Sequence, residues 1–120
     1  MNHFLAYLKV IICILIFILS MPGRVLSAEV LQVSSSSILQ IGDNNRSYKV
    51  RIYCINIDPL QDKEAANWLK VNLPRRSKVN ILPKGYEDGT LISEVIKIRT
   101  NEDISAEMVR LGFGQKNCNP

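Results

Sequence analysis

The sequence predicts a small closed β-barrel with helices, a fold of the α+β class. Three observations support this prediction: five short stretches are rich in branched apolar residues, a helix-like stretch follows the third of them, and turn residues separate the others. Five strands with a helix between the third and the fourth are typical of a five-stranded barrel of the OB type. We expect one such domain over residues 29–120.

The N-terminal residues 1–28 have the pattern of a secretory signal peptide. Lys9 precedes an unbroken apolar run, Pro22-Gly23 interrupts that run, and the small residues Ser27 and Ala28 follow. This order of a charge, an apolar stretch and small residues is typical of a cleavable leader. We therefore expect export, to the periplasm or out of the cell, with cleavage after Ser27 or Ala28. A leader retained as a membrane anchor is the alternative.

Removal of that leader leaves a weakly charged chain. Of the 15 basic residues Lys9 and Arg24 are lost, while all 11 acidic residues stay, so the formal charge falls from +4 to +2. Such a charge neither requires nor excludes nucleic acid as a partner. The one histidine, His3, leaves as well. This excludes a Ser-His-Asp triad or a histidine-ligated zinc from residues 29–120.

The first two strands are predicted over residues 29–33 and 38–41, on either side of four serines at 34–37. Residues 42–47 are rich in glycine, asparagine and aspartate, so a hairpin should lead into the third strand. That third strand covers residues 50–57 and ends at an Asp-Pro pair.

The third strand contains an arginine among apolar residues. Alternation along it places Cys54 on the same face as Val50 and Ile52, and Arg51 on the opposite face. Arg51 has two interpretations: residual phosphate binding, or pairing with one of three carboxylates. Those carboxylates are Asp58, Glu87 and Asp88.

The first predicted helix runs over residues 63–73, with Asp62 as its N-cap and Pro74 as its stop. Apolar residues at helical spacing, with Trp68 beside them, should pack on the sheet.

Two strands, over residues 78–82 and 91–99, follow that helix, and Asp88-Gly89 is a good hairpin pair between them. Ser105 is expected to cap a last helix, which Gly112 ends.

This order of elements resembles the staphylococcal nuclease-like (thermonuclease) family. Residues 50–59, V-R-I-Y-C-I-N-I-D-P, are similar to that family's V-R-L-Y-G-I-D-A-P-E. Residues 65–69, 82–91 and 107–112 resemble its helix, its later hairpin and its closing helix. The resemblance covers nearly all of residues 30–114. It implies an OB-type barrel and calcium-dependent hydrolysis of phosphodiesters.

In that family aspartates bind calcium, a glutamate positions or activates water, and two arginines hold the phosphate. Only Arg51 matches one of these positions. The other family positions fall on residues 34–37, Asn56, Pro59 and Thr90. Asp58, one place before the lost glutamate, is a candidate substitute. The resemblance therefore implies a member that has lost most of its calcium and catalytic residues, so we expect no cofactor, and calcium only if the chain is active.

The densest basic cluster is Arg75, Arg76 and Lys78, with Lys84 nearby. These residues could follow a nucleic-acid backbone, or could simply be solvated. The cysteines that remain after leader removal, Cys54 and Cys118, could form a disulfide that ties the tail to the third strand, or could be independent thiols.

We expect an exported binding module that has lost catalysis. Its ligand could be nucleic acid, another phosphorylated molecule or a protein. An active extracellular calcium-dependent nuclease that uses Arg51 and Asp58 is the first alternative. A structural or protein-interaction domain without a phosphate site is the second.

Overall fold

A computed structural model describes residues 2–19 and 26–119 of the chain. The elements in order are α1 (Asn2–Leu19), β1 (Leu26–Val33), β2 (Ile38–Asp43), β3 (Arg46–Ile52), β4 (Cys54–Ile57), a 3-10 turn (Pro59–Gln61), α2 (Asp62–Asn72), β5 (Lys78–Glu87), β6 (Thr90–Lys97), β7 (Glu102–Asp103), α3 (Ile104–Arg110) and β8 (Gly114–Asn117). Within these two ranges, no helix combines the length and apolar character needed to cross a membrane. The predicted break at Pro22-Gly23 lies outside the described residues.

Five strands form a closed mixed barrel. β1 pairs antiparallel with β2 and with β5, β2 pairs antiparallel with β3, and β5 pairs antiparallel with β6. The parallel pairing of β3 with β6 closes the ring, and the short β7 extends from β6. The predicted fold class, an α+β barrel of OB-like form, is therefore confirmed. The segment between the third and fourth barrel strands carries α2, as predicted.

The barrel interior is filled by alternate residues of the strands, because successive side chains of a strand point to opposite faces. Fully buried examples are Val30, Leu39, Ile41, Val50, Val79, Ile81 and Val95. From α2, Ala65 and Leu69 face this core one turn apart, and α3 adds Ile104 and Met108. Trp68 is half-buried against the core, with its ring centroid 6.0 Å from that of Phe113.

Two tight hairpins set the strand register. Asn44 and Asn45 have φ angles of 47° and 67°, and Asp88 and Gly89 have φ angles of 51° and 77°. Positive φ at both central residues is the type I′ geometry that matches the twist of a β-hairpin. Asparagine, aspartate and glycine adopt it at low cost, which explains why both predicted hairpins are confirmed.

The third predicted strand is interrupted, contrary to the sequence prediction. Tyr53 lies in a turn, and its backbone N–H donates to the Ser93 carbonyl at 2.8 Å. Cys54, the next residue, has a φ of 76°. The chain leaves the barrel there, and the alternation of faces restarts. Ile55 and Ile57 now pack against the core, so the prediction that Cys54 shares a face with Val50 and Ile52 was wrong.

Both predicted helix caps were wrong as well. Asp62 is the first residue of α2, and its carboxylate accepts a hydrogen bond from the Ser36 hydroxyl at 2.5 Å. For α3 the cap is Asp103, whose Oδ1 accepts from the Ser105 N–H at 3.0 Å. Either residue type can cap a helix, and Asp103 Oδ1 also accepts a hydrogen bond from the Ser105 hydroxyl at 3.0 Å. Gly112 does end α3, with a φ of 85°.

β1 begins three residues before the predicted start at Glu29. Ser27 pairs with Asn80, and Ala28 pairs with Val79 and is buried. The predicted cleavage positions therefore lie inside a barrel strand.

Candidate functional site

A polar cavity of about 500 Å³ opens beside Arg51, where β3 leaves the barrel. Its walls come from the serine loop between β1 and β2, the end of β3, the β4–β8 pair with the tail, the end of β5, one residue of β6 and the first residue of α2. The polar side chains that line it are Ser36, Ser37, Arg51, Tyr53, Asn56, Asp62, Glu87, Asn117 and Asn119. Its volume lies within the range of ligand-binding pockets.

Arg51 forms an ion pair inside this cavity. Its Nη2 donates to Oε2 of Glu87 at 2.7 Å, and both side chains are partly exposed. An ion pair of this exposure contributes only about 0–1 kcal/mol to stability, but it neutralises the guanidinium. Of the two interpretations of Arg51, pairing with a carboxylate is the one the structure contains. Counting Asp62 as well, the lining holds two carboxylates and one cation.

The serine loop uses its hydroxyls internally. Ser35 Oγ accepts hydrogen bonds from the N–H groups of Ser37 and Ile38, at 3.3 and 3.2 Å. The buried Ser36 hydroxyl donates to Asp62. Within residues 2–19 and 26–119, no three His, Cys, Asp or Glu side chains come together as a metal site. These serines and Asn56, which fall at the family's calcium positions, offer neutral oxygens in place of the carboxylates that such a site would use.

The C-terminal tail forms one wall of the cavity, and the sequence did not predict this. β8 pairs antiparallel with β4, and Cys54 and Cys118 form a disulfide at the end of that pair. The Tyr53 hydroxyl donates to the Cys118 carbonyl at 2.6 Å. These contacts hold Asn117 and Asn119 at the cavity. Of the two alternatives considered for Cys54 and Cys118, the structure contains the disulfide that ties the tail to the third predicted strand.

Asp58 faces a different depression from Arg51. Its carboxylate accepts the Leu60 N–H at 3.0 Å, which caps the 3-10 turn, and its backbone N–H donates to the Phe113 carbonyl. The surrounding depression is lined by Pro59, Gly114 and their neighbours. The structure thus does not bring Asp58 and Arg51 into one cavity.

Of the predicted basic residues, Arg75 and Arg76 lie in the turn before β5, and Lys78 is the first residue of that strand. Arg75 and Arg76 are exposed, and the Arg76 N–H donates to the Val30 carbonyl at 2.6 Å. Lys78 forms an ion pair with Glu29. The hydrogen bond from Lys78, supported by its charge and that of Arg76, lowers the pKa of Glu29.

Lys84 is separated from this group. It lies six residues beyond Lys78 on β5, which corresponds to roughly 20 Å of extended chain. Its ammonium is 3.9 Å from Glu94 and 5.9 Å from the centre of the Tyr53 ring, which lines the Arg51 cavity. The four basic residues are therefore not one surface.

No model of a known protein family matches this sequence, and no curated protein is significantly similar to it. The barrel is compatible with an OB fold. The resemblance to staphylococcal nuclease is carried by sequence motifs alone.

Proposed function

We propose that this chain is an exported, divergent staphylococcal nuclease-like domain that binds a ligand without hydrolysing it. The observation that carries the proposal is the 2.7 Å ion pair between Arg51 and Glu87, because it engages the one arginine that matches the family motif. A phosphodiester would have to displace Glu87 and would then face Asp62. Phosphoryl transfer needs fixed positive groups around the developing charge. This cavity has an excess of carboxylates instead.

The lining of the Arg51 cavity favours an uncharged, hydroxyl-rich ligand over a phosphate. Its serine and asparagine side chains supply both hydrogen-bond donors and acceptors. The side chains of Ser37, Asn56 and Asn119 make no hydrogen bond with another described residue, so they are available to a ligand. OB-type barrels bind oligosaccharides as well as oligonucleotides. An oligosaccharide is the ligand class that this chemistry supports best.

Nucleic acid is the second candidate, and a separate surface supports it. Arg75 and Arg76 are exposed, and neither forms an ion pair within the described part of the chain. Two free guanidinium groups in one turn can contact consecutive phosphates of a single strand.

Cleavage is tested with the full chain, single-stranded DNA, duplex DNA and RNA, with calcium added or chelated. The expected result is no hydrolysis that depends on both calcium and Arg51. Hydrolysis that requires calcium and disappears in Arg51→Ala would refute the proposal and support the nuclease alternative. Hydrolysis that persists in Arg51→Ala indicates a contaminating enzyme.

Binding is tested with a panel of neutral oligosaccharides and with a single-stranded DNA oligomer at two salt concentrations. Asn56→Ala should weaken a bound oligosaccharide, whereas Arg75→Ala with Arg76→Ala should not. If DNA is the ligand, the double arginine variant should reduce the slope of the log binding constant against log salt concentration by about 0.7 per lost phosphate contact. Arg99→Ala, which changes an exposed arginine elsewhere, serves as the matched control. Binding of neither ligand class would leave the protein-interaction alternative.

A further inference from the structure

A second cleft, of about 300 Å³, lies where the β2–β3 hairpin meets β5 and β6. Tyr48, Pro83, Tyr86 and Leu91 provide its apolar walls. None of these residues lines the Arg51 cavity, so the cleft is a separate site. Its volume is at the lower end of the range for ligand pockets, which suits a single ring.

Tyr48 lines this cleft, and its hydroxyl has no hydrogen-bond partner among the described residues. The residue is opposite Ile41 in the β2–β3 ladder, so its ring points toward the core and packs against it. Its hydroxyl is buried, and no described residue forms a hydrogen bond with it. A buried hydroxyl that lacks a partner costs free energy, and native structures seldom leave one unexplained.

The surroundings keep this hydroxyl protonated. Burial, with the added charge of Asp43, raises the pKa of Tyr48, so the group is a neutral donor at physiological pH. Asp43 and Arg46 flank the hairpin turn and carry opposite charges, so together they add no net charge to the cleft. Tyr86 on the other wall is 71% exposed, so its ring is available to a ligand.

We propose that this cleft binds a single-ring aromatic ligand with a neutral carbonyl-type oxygen, which accepts a hydrogen bond from Tyr48. The aromatic requirement follows from two tyrosine rings in so small a space, because pairs of aromatic rings gain more than area burial alone. The acceptor requirement follows from the unpartnered donor.

The test uses two probes that differ in the acceptor, benzamide and toluene, added to the full chain and followed by ¹H–¹⁵N correlation spectra. Benzamide should produce saturable shifts confined to the two hairpins, around residues 43–48 and 83–91. Tyr48→Phe should weaken benzamide about 2- to 12-fold, the effect of one hydrogen bond, and leave toluene unchanged. Tyr86→Ala should weaken both probes. Tyr7→Phe, which removes an exposed hydroxyl from α1, is the matched control and should weaken neither.

Three results would overturn the proposal. The first is no saturable benzamide shift in these hairpins at any soluble concentration. The second is an unchanged benzamide affinity in Tyr48→Phe, which means that a bound water satisfies the hydroxyl. The third is an equal loss for benzamide and toluene in that variant, which means that the cleft selects shape without a hydrogen bond. Because Tyr48→Phe removes only one oxygen, its folded state can be verified from the same spectra.

Discussion

Removal of the Cys54–Cys118 disulfide should destabilise the domain strongly. The link joins residues 64 positions apart and attaches β8 to β4. In the chain-entropy treatment, a loop of that length makes the unfolded state less favourable by about 4 kcal/mol at 25 °C. The tail buries little side-chain surface, since three of the four β8 residues are exposed. Replacing both cysteines with serine should therefore cost roughly 2–4 kcal/mol.

A second variant distinguishes the contribution of the disulfide to stability from that of the backbone conformation at residue 54. Cys54 has a φ of 76°, a region that costs a residue with a side chain about 1–2 kcal/mol and costs glycine little. Cys54→Gly with Cys118→Ser lacks the disulfide as well but relieves that cost. It should be about 1 kcal/mol more stable than Cys54→Ser with Cys118→Ser.

Equilibrium urea unfolding, followed by the fluorescence of the single tryptophan, Trp68, measures these differences. Thiol titration of the unfolded, unreduced parent should detect only Cys13, which confirms that the disulfide was present. A serine double variant within 1 kcal/mol of the oxidised parent would refute the entropic argument. A glycine variant no more stable than the serine variant would refute the argument from φ.

Three further predictions concern the core, the tail and the second cleft. Leu69→Ala, at a fully buried position of α2, should lower the free energy of unfolding by about 2–5 kcal/mol. Val71→Ala, on the exposed face, should change it by less than about 0.5 kcal/mol, and urea unfolding of both variants measures the difference. Gly114→Ala places a Cβ 2.2 Å from the Asn56 carbonyl oxygen, so amide exchange in β8 should accelerate, and unchanged protection would contradict the contact. Folding raises the pKa of Tyr48, so the stability that depends on its protonated form is complete below about pH 10 and is lost as the pH rises. In alkaline unfolding titrations, Tyr48→Phe should therefore lose less stability than the parent.

The barrel could be predicted because its signals are local. Branched apolar residues at alternate positions indicated the strands, and the pairs Asn44-Asn45 and Asp88-Gly89 indicated the hairpins that set their register. The strand break at Tyr53 could not be predicted from the same pattern, since apolar residues continue through it. One signal was available: the family motif has glycine where this chain has Cys54, and glycine there indicates a positive φ.

The candidate site could be predicted only in part, because its walls come from distant segments. Glu87 was one of three carboxylates considered for Arg51, and the β5–β6 hairpin brings it to the cavity. The asparagines of the tail could not be assigned, since the sequence of β8 is Gly-Gln-Lys-Asn and has little strand propensity. Its pairing depends on β4, about sixty residues away. The separation of Lys84 from the other basic residues required the true length of β5, which continues to Glu87.

If the chain is exported and cut after Ser27 or Ala28, as we propose, the early start of β1 constrains the order of folding and cleavage. Ser27 and Ala28 are paired with β5 in the closed barrel. Their peptide bonds are therefore not accessible to a protease that binds its substrate as an extended chain. Cleavage at either residue must therefore come before the barrel closes. A chain that folds first keeps its leader, and a chain that is cut first folds without the leading pairs of β1. The relative rates of folding and processing would then set how much of each form a cell contains.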